Sequence, residues 1–112
     1  MLQSELDQFT GTEHYYKYLC GTKLTDGVMH LANEAGCFWL LDIIASYQTT
    51  DLMKAEDFQV WTLKKCGEAW LVTCDDGNKN EITRQVIPYS DFPFDSQAVW
   101  CINGVMLLPS EY

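Results

Sequence analysis

Two histidines and five cysteines are the side chains of this sequence best suited to metal binding or nucleophilic catalysis. His14 precedes Cys20 by six residues, and His30 precedes Cys37 by seven. Structural zinc sites favour tighter cysteine pairs, with roughly two to four residues between the ligands, and the sequence has no such pair. We therefore expect surface histidines and buried thiols, with no metal and no cofactor.

A second candidate for metal binding lies at Asp76, Asn78 and Asn80, which alternate like the first oxygen ligands of an EF-hand calcium loop. Such a loop needs glycine at its sixth position and glutamate at its twelfth, where this sequence has Glu81 and Ile87. A hairpin turn accounts for the same residues. We predict a turn here and no calcium site.

The candidates for catalysis are a Cys–His pair and Asp42, which is the one charged residue in a long apolar run. A reactive thiol needs an electropositive setting, and this chain carries 16 acidic residues against 7 basic ones. Asp42 could act as an acid or base, or it could be a structural carboxylate that accepts N–H or tyrosine O–H bonds. We predict that the protein is not an enzyme. A small enzyme that uses Asp42 with His14 or His30 remains an alternative.

The net charge of −9 argues against nucleic-acid binding, because affinity for phosphates depends on lysine and arginine. The same charge favours binding to the basic surface of a protein or nucleoprotein complex, or self-association. We expect no direct contact with nucleic acid and none with a membrane.

Two groups of residues are candidates for partner contact. The first is an irregular segment that interleaves aromatic and acidic residues between two prolines, and the second is a set of acids expected around one end of a sheet. The first group is Tyr89, Asp91, Phe92, Phe94 and Asp95; the second is Glu68, Asp75, Asp76 and Glu81. Aromatic anchors rimmed by charge are typical of interface hot spots. The alternatives are that Phe92 and Phe94 tuck back and seal the sheet, and that the acids only solvate turns.

The element that must position these residues is the stretch from Gly36 to Tyr47, which is apolar around almost the whole circumference of a helix. It is too short to span a bilayer, so it predicts a buried central helix. Short helices are expected before it, at Ser4–Phe9 with Ser4 as N-cap, at Thr12–Leu19, and from Thr25 to Ala35. Gly36 would turn the chain sharply between the last of these and the central helix.

After Asp57 the apolar residues no longer recur at helical spacing but at every second position, as in a strand. Alternating runs at Phe58–Lys65, Ala69–Cys74 and Glu81–Ile87 predict three strands, and Asn103-Gly104 predicts a final hairpin. The fold class is therefore α+β, with N-terminal helices packed on a C-terminal antiparallel meander of about four to five strands. Residues 1–112 are expected to form a single domain.

The N-terminal residues lack the charged and apolar regions of a signal peptide. Most of the cysteines lie in or beside apolar runs, which is typical of reduced core thiols. We therefore expect a cytoplasmic protein.

Several segments together carry a resemblance to a known family. They are Phe9-Thr10-Gly11-Thr12, Thr25-Asp26-Gly27-Val28, Trp39 to Ser46, Asp91-Phe92-Pro93 and the ending Leu108-Pro109-Ser110-Glu111-Tyr112. The chain resembles, over nearly its whole length, a small uncharacterised domain family found in bacteria, their plasmids and their phages. The resemblance implies a compact domain and a mobile-element setting, and it transfers no catalytic residue.

The expected function follows from that setting and from the charge. Small acidic proteins of mobile elements are often inhibitors of host defence nucleases, including anti-CRISPR proteins. We expect a non-enzymatic protein-binding domain that occupies a basic nucleic-acid-binding surface on such a complex in the host bacterial cytoplasm. The alternative from another class is a structural or assembly protein that homodimerises through a sheet edge.

Overall fold

Four α-helices and seven strands form within residues 3–112, the part of the chain that this computed structural model describes. The helices are α1 (Gln3–Leu6), α2 (Asp26–Ala35), α3 (Phe38–Tyr47) and α4 (Asp51–Lys54). The strands are β1 (Tyr16–Lys17), β2 (Lys23–Leu24), β3 (Phe58–Cys66), β4 (Ala69–Asp75), β5 (Glu81–Ile87), β6 (Ser96–Ile102) and β7 (Val105–Leu107). Two 3₁₀ turns occupy Leu19–Gly21 and Pro109–Glu111. The predicted α+β class is confirmed.

The corner between α2 and α3 forms as the sequence predicted. The Thr25 hydroxyl accepts a hydrogen bond from the Val28 N–H and so caps α2 at its N-terminus. Gly36 ends α2 at φ +63°, a left-handed conformation that a glycine adopts without strain. The central helix α3 then begins at Phe38, two residues later than expected. Its buried residues are Leu40, Leu41, Ile44 and Ala45, while Trp39 is half-buried against the core.

Two predictions for the N-terminal third are wrong. Ser4 lies inside α1 rather than at its N-cap, and α1 ends at Leu6. The stretch expected as a helix over residues 12–19 instead contains β1 and part of a 3₁₀ turn. Tertiary contacts override the local pattern, because the Tyr16 hydroxyl donates to Asp26 at 2.9 Å and β1 pairs with β2.

The sheet has seven strands in the order β1-β2-β7-β6-β3-β4-β5, and β2 pairs with β7 in parallel. The expected antiparallel meander of four to five strands is therefore too small. Only β3, β4 and β5 form a meander, and the β6–β7 hairpin returns to lie on the other side of β3. Strands of two residues, such as β1 and β2, are too short to leave a period of two in the sequence.

One face of this sheet provides the strand residues of the hydrophobic core, with the single exception of Leu107 on β7 among the described residues. They are Leu24, Trp61, Leu63, Trp70, Val72, Cys74, Val99, Cys101 and Met106. The strand registers place Phe58, Val60, Leu71, Val86, Trp100, Ile102 and Val105 on the opposite face, where each remains half-buried or exposed, together with Leu107, which is buried at 8% exposure. We call this second set the open face. The two helices α2 and α3 contribute their buried residues to the core on the first face.

A pair of amides fixes the end of α3 to strand β3. The side chains of Gln48 and Gln59 exchange two N–H···O bonds, at 2.8 and 2.9 Å. The Trp61 indole N–H also donates to the Gln59 oxygen, at 2.9 Å. Gln59 is thereby a buried polar residue with its hydrogen bonds made, which removes the penalty of placing an amide in the core.

The C-terminus is tied to the start of α2 by one carboxylate. Glu111 accepts hydrogen bonds from the Thr25 hydroxyl at 2.6 Å, the Gly27 N–H at 3.1 Å and the Leu108 N–H at 2.9 Å. A negative charge at a helix N-terminus is stabilising, because the first N–H groups have no partners within the helix. The Ser110 hydroxyl adds a bond to the Leu6 carbonyl at 3.2 Å. We call the three bonds of Glu111 the carboxylate clamp.

The clamp predicts that residue 27 must be glycine. A Cβ at Gly27 would lie 2.5 Å from the Glu111 Oε1 atom and 2.8 Å from the Leu108 Cδ1 atom. We expect Gly27→Ala to displace Glu111 and to lower the free energy of unfolding by about 1–3 kcal/mol, the scale of a lost charged hydrogen bond. Urea denaturation measures this change.

The matched control is Gly11→Ala, because a Cβ at Gly11 would meet no atom within 4 Å. Its unfolding free energy should stay within about 0.5 kcal/mol of the parent, as for most surface substitutions. Equal unfolding free energies of the two variants would show that the carboxylate clamp does not stabilise the fold.

Candidate partner-binding site

Asp42 is an exposed carboxylate that accepts a hydrogen bond from the Tyr18 hydroxyl. Burial raises the pKa of Tyr18, and the hydrogen bond and charge of Asp42 raise it further. The interaction joins the segment before α2 to the central helix α3, whose Phe38 ring stacks on Tyr18 at 6.2 Å. This contact is the one that the structural interpretation of Asp42 predicted, a carboxylate bonded to a tyrosine hydroxyl near the helix junction. The Asp42 side chain is exposed, although it belongs to the central helix.

The two histidines have acidic neighbours other than Asp42. His14 Nδ1 lies 3.8 Å from an Asp26 oxygen, and His30 Nε2 lies 3.5 Å from a Glu5 oxygen. The carboxylate of Asp26 also accepts the Glu13 N–H and the Tyr16 O–H, and these bonds lower its pKa. The structure therefore places Asp42 with Tyr18 and each histidine with a different acid.

The residues that resemble the start of an EF-hand loop are joined by local hydrogen bonds. Within residues 3–112, no group of three or more histidine, cysteine or acidic side chains is arranged to hold an ion. In the β4–β5 loop, Asp76 accepts hydrogen bonds from the backbone N–H of Asn78 at 2.8 Å and from the side-chain amide of Asn80 at 3.0 Å. The Asn80 amide and the Asn78 N–H lower the pKa of Asp76. The predicted turn is confirmed, with a loop longer than a tight two-residue hairpin.

The segment from Tyr89 to Asp95 divides into a buried part and an exposed part. Phe92 is only 6% exposed and packs edge-on against Trp70, with ring centroids 6.1 Å apart. Phe94 is half-buried and packs on Phe92 at 5.7 Å. Tyr89 is 80% exposed, and Asp91 and Asp95 are exposed as well. The two phenylalanines thus seal the core, which leaves Tyr89, Asp91 and Asp95 for contact.

The predicted acids do not gather at one end of the sheet. Glu68 lies in the turn before β4, whereas Asp75 ends β4 and Asp76 and Glu81 follow it. A seven-residue strand is about 20 Å long, so Glu68 is separated from the other three by that distance. Glu81 is paired with Arg84 through two hydrogen bonds, at 2.8 and 3.0 Å. Of the three acids at that end of β4, Asp75 and Asp76 are the two without a described ion pair to a basic residue.

A cluster on the open face brings aromatic rings beside these two acids. The rings of Phe58, Trp100 and Tyr112 lie 5.2 to 5.8 Å apart, and Tyr112 is 76% exposed. Asp75 pairs with Val60 on β3, and Val60 pairs in turn with Trp100 on β6. The backbone at Gly77 follows Asp76 and approaches the Phe58 ring closely, since a Cβ there would lie 3.2 Å from it. We call Phe58, Trp100, Tyr112, Asp75 and Asp76 the aromatic–acidic patch.

Sequence reasoning missed this patch for two reasons. The alternation of apolar residues along each strand shows which face Phe58 and Trp100 share with their own neighbours. It does not show that β3 pairs with β6, which is what brings the two rings together. Tyr112 belongs to the tail, whose position depends on the Glu111 clamp.

Among residues 3–112, no helix is both long enough and apolar enough to cross a membrane.

Comparison with known proteins places the chain in a family. A family model matches residues 1–112, the whole sequence. The chain belongs to a family of unknown function, DUF6876. The resemblance noted from the sequence is thereby confirmed as membership of an uncharacterised domain family. No curated protein and no solved structure matches this DUF6876 chain.

The cysteines of this DUF6876 chain predict a clear division in reactivity. All five are free; Cys37, Cys74 and Cys101 are buried, and Cys20 and Cys66 are exposed. Burial raises the pKa of the Cys37 and Cys101 thiols to about 11 and that of the Cys74 thiol to about 12. Since the thiolate is the nucleophile, we expect iodoacetamide at pH 8 to label only Cys20 and Cys66 in the folded protein.

Peptide mapping by mass spectrometry measures the labelling, and the urea-unfolded protein, in which all five thiols should react, is the control. Labelling of Cys37, Cys74 or Cys101 in the folded state at the rate of Cys20 would contradict the position of these thiols in the core.

Proposed function

We propose that this domain is a non-enzymatic protein-binding module that contacts a basic partner surface through the aromatic–acidic patch. The observation that carries the proposal is the Phe58–Trp100–Tyr112 cluster on the open face, with Asp75 and Asp76 at its edge. Trp and Tyr are enriched at the energetic centres of interfaces because they bury large areas with few rotatable bonds.

The chemistry of the patch selects the kind of partner. A guanidinium or ammonium group is attracted to the face of an indole or phenol ring and to a nearby carboxylate. The net charge of −9 adds long-range attraction to a basic surface and speeds the encounter. An arginine-rich or lysine-rich protein surface therefore complements this face through charge and through cation–π contacts.

In its more specific form, the proposal is that the groove is the nucleic-acid-binding surface of a host defence nuclease complex. The domain would inhibit the nuclease by steric and electrostatic competition, as anti-CRISPR proteins do. This form rests on the net charge and on the mobile-element setting that the resemblance implies. It also places the protein in the bacterial cytoplasm, where such a complex acts.

A second candidate function is assembly through the edge of the sheet. Strand β5 lies at one end of the strand order, and Val86 on it is 63% exposed. A symmetric antiparallel pair of β5 strands with full overlap would, however, set Arg84 opposite its own copy, and like charges in that position are destabilising. The edge therefore supports homodimerisation less well than the patch supports a basic partner.

Two exposed tyrosines provide a matched test of the proposed surface. Tyr112 lies in the patch and is 76% exposed, whereas Tyr89 lies in the irregular segment and is 80% exposed. We expect Tyr112→Ala to reduce affinity for a nona-arginine peptide at least fivefold, the scale of a lost cation–π contact. Tyr89→Ala should bind as the parent does. Fluorescence titration of the tryptophans at about 50 mM salt measures both.

The same comparison applies to capture of proteins from a bacterial lysate at low salt, quantified by mass spectrometry. Proteins lost by Tyr112→Ala and retained by Tyr89→Ala would be partners of the patch. Loss of binding by Tyr89→Ala with no effect of Tyr112→Ala would move the contact to the segment at residues 89–95 and refute the patch.

Charge reversal at the loop tests the electrostatic part. Asp76→Lys should weaken binding of the nona-arginine peptide, and Asp91→Lys, which makes the same charge change at an exposed site outside the patch, should weaken it less. Raising the salt to about 500 mM shortens the Debye length to about 4 Å, so parental binding should fall as well. Affinity that is unchanged by salt would indicate an apolar interface instead.

A further inference from the structure

A row of paired residues crosses five strands of the sheet on its open face. Phe58 on β3 pairs with Ile102 on β6, and Ile102 pairs with Val105 on β7. Val105 then pairs with Lys23 on β2, and Lys23 pairs with Lys17 on β1. Residues paired in this way point to the same face, and neighbouring strands lie about 5 Å apart. The row therefore leads from the aromatic–acidic patch, at Phe58, to a pair of lysines.

The middle of this row lines an open apolar groove of about 300 Å³. Its lining residues are Tyr15, Lys23, Ile102, Val105 and Leu107. The volume lies at the lower end of the range for binding sites, roughly 300–1,000 Å³, and suits one apolar side chain. Lys23 is the only charged residue of the lining, so the groove presents an apolar surface with a positive charge at its edge.

The two lysines at the end of the row have no acidic partner. Both are exposed, and neither forms an ion pair within residues 3–112, although the chain has 16 acidic residues against 7 basic ones. They lie directly opposite each other on β1 and β2, where like charges are destabilising. A carboxylate bound between them would relieve this repulsion.

We propose that the groove and the two lysines bind an apolar side chain and an acidic side chain of the partner protein. Both belong to the same extended segment of the partner, whose basic residue contacts the aromatic–acidic patch. The inference thus rests on the proposed function and narrows the partner to a segment that carries all three kinds of side chain.

The row also sets the spacing of the three side chains. Phe58 and Lys23 are three strand spacings apart, about 14 Å, and an extended chain covers this distance in about four residues. Alternate residues of an extended chain point to the same side. A partner segment laid across the strands therefore has its basic residue at position i, its apolar residue at i+2 over Ile102 and Val105, and its acidic residue at i+4.

A short peptide tests this arrangement on the intact protein. The probe is acetyl-Gly-Arg-Ser-Leu-Ser-Glu-Gly-amide, which has no net charge, titrated into isotope-labelled protein and followed by NMR. We expect saturable shifts at the backbone amides of Ile102, Val105 and Lys23. A peptide with glutamine in place of glutamate should bind about threefold more weakly, the scale of an exposed ion pair. A peptide in which leucine and glutamate exchange places should also bind more weakly, because it sets the carboxylate over the apolar groove.

A charge exchange tests the role of Lys23. Lys23→Glu should shift the ratio of the affinities for the two peptides with lysine and with glutamate at the last position at least about tenfold toward the lysine peptide. Lys54→Glu, which makes the same charge change in α4, should shift this ratio less than about twofold. Lys23→Glu should melt no lower than the parent, because it replaces two like charges by an opposite pair. If it does not fold, the peptide comparisons decide.

Absence of saturable shifts, or equal binding of the glutamate and glutamine peptides, overturns the acidic-residue site. The two lysines would then only protect the edge strand β1 from pairing with other chains. Equal binding of the peptide with exchanged leucine and glutamate overturns the spacing. The proposed function fails separately, through the Tyr112 and Tyr89 comparison with the nona-arginine peptide, which has no acidic side chain. A negative result here with a positive result there removes only this inference.

Discussion

The sheet has two faces, and the apolar surface of the helices packs against one of them. Every strand residue in the core except Leu107 points to the face where α2 and α3 lie, and the alternation of side chains then forces their neighbours to the other face. Those neighbours include Phe58, Val60 and Trp100, which stay half-buried. The division of the sheet explains both how the chain is stabilised and where a surface is left for a partner.

Contacts at the N-terminus of α2 explain why several of the segments that carry the family resemblance matter for the structure. Segments that carry the resemblance meet at this helix N-terminus: the Thr12 hydroxyl accepts the Asp26 N–H at 2.9 Å, and Glu111 binds Thr25 and Gly27. These residues cap a helix and fasten the chain end. These contacts stabilise the fold, so the segments that carry the resemblance do not by themselves indicate a function.

Much of the architecture could be predicted because its signals are local. The cap at Thr25, the turn at Gly36, the Asn103-Gly104 hairpin and the end of β5 before Pro88 each follow from backbone preferences of neighbouring residues. The strands β1 and β2, the pairing of β3 with β6 and the carboxylate clamp join residues far apart in the sequence, and no local pattern encodes them. The candidate site depends on the same long-range pairings. Asp75 and Asp76 could therefore be proposed from the sequence, but the aromatic residues beside them could not.

On this account, one face of the sheet stabilises the fold, while the other face is accessible to solvent. One substitution on each face tests this claim. Val72 lies in the core on β4, and Val60 lies on the open face on β3. Replacing valine by threonine preserves shape and adds a hydroxyl, which is unfavourable only where water is excluded. Urea denaturation should show a loss of unfolding free energy of about 1–3 kcal/mol for Val72→Thr and well under 1 kcal/mol for Val60→Thr. Equal losses would contradict the account, because they would mean that the open face is also part of the core.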